Sequence, residues 1–137
     1  MRELNRVILH CSATREGEDV SAATIRNWHL QRGWSDIGYH YVIGIDGTIE
    51  KGRPIQRPGA HTKGHNAETV GVCYIGGVEQ DGKTPKDTLT FAQEQAFRNL
   101  YNALKLVFGP MTLHGHNEYS AKACPSFKVQ EKFPDLF

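Results

Sequence analysis

No stretch of this chain approaches the roughly 18 consecutive apolar residues that cross a bilayer as a helix, which excludes a helical membrane span. Neither sign of charge is in excess. The 16 basic and 15 acidic side chains leave a formal charge of +1, so composition gives no reason to expect nucleic acid as a partner. Cysteines number only three, Cys11, Cys73 and Cys124, an odd count without paired spacing that argues against a disulfide framework. Internal repeats and low-complexity segments are missing as well. The first residues, Met1 to Arg6, are charged and lack the apolar h-region of about 7–15 residues that marks a secretory signal, so synthesis in the cytoplasm is expected.

What is present suffices for one ordinary core. A length of 137 residues, 39% hydrophobic and 23% charged, predicts a single domain over residues 1–137, with a monomer as the default state. Val7 to His10 form a continuous apolar run, the pattern of a strand covered on both faces, and the run ends on a histidine. Ser21 caps a helix expected over Ala22 to Arg32, with Val20 stapled against Ile25 and Gly33 as the stop. Tyr39 to Ile45 then alternates Tyr39, Tyr41, Ile43 and Ile45 against His40, Val42 and Gly44. Asp46-Gly47 turns that strand into a hairpin with Thr48 to Glu50.

Residues 51–65 carry Lys51, Arg53, Arg57 and Lys63 with no acid, amid prolines and glycines, and read as an irregular basic loop. A strand follows from Thr69 to Ile75. Thr90 and Gln93 form a capping box before a helix with Phe97, Leu100, Leu104 and Val107 at helical spacing, stopped by Gly109-Pro110. A last strand from Met111 to His114 presents Thr112 and His114 on its polar face, and His116 too if extension continues through Gly115. The tail, with Lys122 and Cys124, reads as loop and then a short helix. The fold class is therefore α/β, with a central mixed sheet flanked by helices.

His10 stands at a strand end, His116 just past another, and Cys124 in a polar loop eight residues later. Two imidazoles and one thiolate are a three-ligand set that leaves a fourth position open on a catalytic zinc. Cys11 and Cys73, inside apolar strands, read as small buried hydrophobes. Seven histidines guarantee several with no chemical role, so pattern alone leaves the metal site and satisfied structural histidines equally open.

Five segments carry a resemblance that spans nearly the whole chain: Ile8-Leu-His-Cys-Ser-Ala-Thr14, Gly33-Trp-Ser-Asp-Ile-Gly-Tyr-His-Tyr41, Gly59-Ala-His-Thr-Lys-Gly-His-Asn66, Val70-Gly-Val-Cys-Tyr-Ile-Gly-Gly77, and His116-Asn-Glu-Tyr-Ser-Ala-Lys-Ala-Cys-Pro-Ser-Phe127. Together they resemble the successive motifs of the zinc N-acetylmuramoyl-L-alanine amidases, in particular the phage-type branch. They are similar as well to the animal peptidoglycan recognition proteins. The resemblance implies a zinc ion (Zn2+) in a surface groove, held by His10, His116 and Cys124. It implies Tyr39 and Lys122 as catalytic residues, and His61 and Asn66 as residues lining the substrate groove.

The implied reaction is hydrolysis of the amide joining N-acetylmuramic acid to L-alanine in peptidoglycan. Such an enzyme made by a phage accumulates in the cytoplasm and reaches the wall once the membrane is permeabilised. Where many relatives carry a glutamate in the Val70 to Tyr74 motif this chain has Cys73, which leaves the general base between zinc-bound water aided by Tyr39 and another group. His40, His65 and His114 are candidates to orient the ligands, whereas His29 is expected to be structural or superficial. Two other functions stay open: a peptidoglycan-binding module without catalysis, against which the presence of Cys124 speaks, and a second role as an inhibitor bound to a phage RNA polymerase.

Overall fold

Five consecutive residues of strand β1 (Arg6–Cys11), Val7 to Cys11, have almost no contact with solvent, which requires cover on both faces of the sheet. The computed structural model describes residues 2–137. After β1 come β2 (Thr14–Arg15), α1 (Ala22–Gln31), β3 (Tyr41–Ile43), β4 (Ile49–Lys51), β5 (Thr69–Tyr74), β6 (Gly77–Val78), α2 (Phe91–Phe108), β7 (Thr112–Gly115) and α3 (Val129–Lys132). The main sheet has the order β4-β3-β5-β1-β7; only the β3–β4 pair is antiparallel. The expected mixed α/β sheet is thus present.

The two faces bury two separate clusters. Val7, Leu9, Val72 and Tyr74 pack with Phe97, Leu100, Tyr101 and Leu104 of α2, and Phe133 closes that layer from the tail. On the other face Val42, Cys73 and Ile75 meet Ala22 and Ile25 of α1 and Val20 just before it. The capping box of α2 forms as expected, Thr90 Oγ1 accepting from Gln93 N and Gln93 Oε1 accepting from Thr90 N. The Gln93 side chain also donates to the carbonyls of Ile43 and Ile75, tying the first turn of the helix to the sheet. Among the described residues, no helix is long and apolar enough to cross a membrane.

Three details depart from the expected pattern. The hairpin ladder is shorter, because Tyr39 and His40 give their carbonyls to Arg53 and Gly52 outside it, at 2.8 Å each. Its alternation also fails at both ends: Tyr41 and Ile43 join the α2 side, but Tyr39 and Ile45 pack on the α1 side. Finally, β7 continues through Gly115 and then bends into a 3-10 turn at His116–Glu118. The Glu118 carboxylate causes that bend, accepting from Gly115 N at 2.6 Å while pairing with His114 Nδ1 at 3.0 Å. A two-residue parallel ladder between β2 and β6 was not legible in the pattern.

Candidate metal centre and active-site groove

Parallel pairing delivers the C-terminal ends of β1 and β7 to the same edge, Leu9 standing opposite Gly115. His10 and His116 therefore emerge side by side, their rings 4.5 Å apart. The tail then folds back so that Cys124 Sγ accepts from the backbone N–H of Cys11 at 3.1 Å. One donor atom from each of His10, His116 and Cys124 lies within 4.8 Å of the other two. That spacing and a donor set of two nitrogens and one sulfur suit a tetrahedral zinc with one corner left open. His10 is buried, whereas His116 and Cys124 are half-buried and His116 lines the neighbouring groove.

The electrostatics match a cation site waiting for charge. Burial holds His10 well below the usual histidine range, with His61 and His116 adding to the effect, so its imidazole is neutral and able to coordinate. His116 is lowered by burial and by Lys122. The adjacent Cys11 thiol, and then burial, push the Cys124 thiol up, so that a bound cation is what would make it a thiolate.

Tyr39 lies beside this cluster, its ring 5.1 Å from that of His10. Burial and the neighbouring cysteines raise its phenol well above 10, so the hydroxyl keeps its proton. Behind Tyr39 stands His29, whose Nδ1 accepts from Gly38 N at 2.9 Å and whose ring is 5.6 Å from that of Tyr39. His29 is accordingly structural: it pins the turn that carries the tyrosine. Cys73 is fully buried, its thiol donates to the Tyr74 carbonyl at 3.6 Å, and burial drives that thiol well up, so it offers no base.

An open groove of about 700 Å3 runs past the cluster, walled by Trp34, His61, Thr62, Lys63 and Asn66 on one side and by His116, Tyr119, Ser120 and Lys122 on the other. Two lysines and no carboxylate line it among the described residues. Lys122 is exposed on that wall, with its backbone N–H donating to Ser120 Oγ at 3.1 Å. Asn66 uses Oδ1 to accept from both His61 N and Thr62 N, at 3.1 and 3.0 Å, and so fixes the loop that forms the opposite wall.

Of the other basic loop residues, Arg53 is absorbed by the scaffold, donating to the carbonyls of Ile37, Asp36 and Pro58. His40 holds β5 through Gly71 N and the loop through Arg57 O, and burial lowers it to about 4. His114 bonds Thr112 and Glu118, and the His65 carbonyl accepts from Thr69. Among the described residues none of these three side chains hydrogen-bonds to a candidate ligand. That contact is made by His61, whose Nδ1 is 2.9 Å from His10 Nε2. The sequence signal for it was the Gly-Ala-His-Thr loop, together with the missing side chain at Gly71 beneath it.

Fold and cluster together define an α/β domain whose candidate site is a two-histidine, one-cysteine group able to hold a metal ion, beside an open groove without a lining carboxylate among the described residues. Comparison with known proteins names the family. The N-acetylmuramoyl-L-alanine amidase family model matches residues 1–127, and the chain belongs to that family. It is 43% identical over 129 residues to an endolysin of Klebsiella phage KP32, covering 94% of this chain and 85% of the relative. It is 41% identical over 124 residues to the endolysin of Escherichia phage T7, covering 90% and 82%. Among solved structures, the N-acetylmuramoyl-L-alanine amidase LysC from Clostridium intestinale URNW superposes with a TM-score of 0.83 at 28% identity, over 98% of this chain and 86% of that one.

Proposed function

We propose that this chain is a zinc-dependent N-acetylmuramoyl-L-alanine amidase of the endolysin kind, cleaving the amide between the lactyl group of N-acetylmuramic acid and L-alanine in peptidoglycan. The observation that carries the zinc dependence is the convergence of His10, His116 and Cys124 to within 4.8 Å, beside the groove that His116 lines. Family membership and the endolysin relatives carry the substrate. An open groove lined, among the described residues, by two lysines and no acid suits a polymer whose peptide stems bear carboxylates.

His10, His116 and Cys124 would hold the ion, and zinc bound there supplies a Lewis acid and a bound water of pKa lowered to about 7. The protein's own groups do the rest. The Lys122 ammonium, on the groove wall beside His116, is placed to meet the negative charge that develops on the carbonyl oxygen. The Tyr39 hydroxyl, kept protonated by burial, orients the attacking water and passes a proton towards the leaving amine. Cys73 is buried and no carboxylate lines the groove among the described residues, so this reading gives the proton handling to Tyr39 rather than to a glutamate.

The test is mass spectrometry of purified peptidoglycan digested by the protein with zinc supplied and with zinc chelated. Free stem peptides with an L-alanine amino terminus, appearing only with zinc, support the reading. No cleavage in either condition, with peptidoglycan still retained by the protein, would replace it with a binding module.

A further inference from the structure

His10 and His61 are 51 residues apart in the chain and meet edge to face, their rings 4.9 Å apart and at 86°. Both are buried, and neither bonds a carboxylate among the described residues, so each is a neutral imidazole with a single N–H. Which nitrogen carries it is decided further along the line of contacts. The Thr69 hydroxyl stands 2.6 Å from the His65 carbonyl oxygen, which can only accept, so the threonine proton is committed there. His61 Nε2, 3.3 Å from Thr69 Oγ1, must then be the donor of that pair.

It follows that His61 Nδ1 is an acceptor and that the hydrogen between the two rings belongs to His10 Nε2. Thr62 Oγ1 is 2.9 Å from His61 Nδ1 and 3.3 Å from His10 Nε2; accepting from His10 and donating to His61, it would preserve the same polarity. The remaining nitrogen of His10, Nδ1, is left as a bare lone pair. The geometry points to His61, anchored by Thr69, as a positioning residue that locks His10 in its Nε2–H tautomer and so presents Nδ1 as the ligand atom. This inference rests on the reading of His10 as a zinc ligand.

The surroundings are built for that contact. A Cβ on Gly71 would lie 2.5 Å from His61 Cγ and Cδ2, so only a glycine at that point of β5 lets the ring lie against the strand. Asn66 clamps the backbone of His61 and Thr62 from the other side. Partners that orient a ligand histidine in this way typically contribute about 10- to 100-fold to metal affinity.

The experiment is a competitive zinc titration of the wild type, His61→Phe, His61→Asn and Thr69→Val, joined to 15N spectra of the histidine ring nitrogens in the zinc-loaded wild type. Phenylalanine keeps the ring packing over Gly71 but removes the acceptor, and should weaken zinc by about 10- to 100-fold. Asparagine restores an oxygen near the Nδ1 position and should recover most of that loss, while Thr69→Val should fall between. The spectra should show His10 and His61 both protonated on Nε2. Wild-type affinity in His61→Phe, or a His10 protonated on Nδ1, would overturn the inference. A wild type that binds no zinc would be a different result, removing the metal reading and this inference with it.

Discussion

The backbone N–H of Cys11 points at the sulfur of Cys124 across 3.1 Å, joining the end of the first strand to a loop 113 residues later. Such a donor favours the thiolate over the thiol. In the metal-free protein the Cys11 thiol and burial work the other way and hold the Cys124 proton on. His10 and His116, both lowered, have no proton to give up near neutral pH. Zinc binding should therefore release one proton, from Cys124, with affinity rising by about tenfold per pH unit below pH 7, and the slope should steepen above pH 7 as the bound water, of pKa about 7, gives up a second. Isothermal titration in buffers of different ionisation enthalpy counts that proton. Cys124→Ser should lose most of the zinc and flatten the slope.

Lys122 lies on the groove wall and is exposed, without a structural bond from its ammonium among the described residues. Lys122→Ala should leave zinc content unchanged and change stability by less than about 0.5 kcal/mol. Turnover should drop about 10²- to 10³-fold, the usual loss for a donor to a developing oxyanion. Muropeptide release measured at saturating substrate checks this.

Tyr39→Phe removes one hydroxyl and keeps the ring against His10. Zinc affinity should be retained, and the rate should fall by about 10² or more if the hydroxyl handles a proton. Equal loss of zinc and activity would assign the tyrosine to the metal site instead.

The metal-free chain should be labile to acid. Burial lowers His29 and His40 to about 4 and His61 to about 3, against an unfolded value of 6.5. The unfolded chain binds protons that the folded chain refuses, so the stability from these groups is complete above pH 6.5 and is lost as pH falls towards 4. Thermal melts of chelated protein from pH 7.5 to 4 should show a steep decline beginning near pH 6.5. His40→Phe, by removing one such group, should make the decline shallower, whatever it costs at neutral pH.

Much of the scaffold was legible because it is written in local patterns. The apolar run ending at His10, the Ser21 and Thr90 caps and the Asp46-Gly47 turn each act over a few residues, and each appears where expected. The placement of His116 was only half legible: the strand does run through Gly115, but a carboxylate two residues beyond the histidine bends the chain there. The bond from Cys11 N to Cys124 Sγ and the chain from His10 to His61 to Thr69 join distant segments through one atom pair at a time. No periodicity records such contacts, because they arise only once parallel pairing has set β1, β5 and β7 side by side.

The coordination of the ion is the most direct test of the account. X-ray absorption at the zinc edge of the purified protein should show one zinc per chain, with a single sulfur at about 2.3 Å and nitrogen or oxygen neighbours at about 2.0–2.1 Å. A spectrum with no sulfur neighbour, or a protein that purifies active with no zinc, would contradict it.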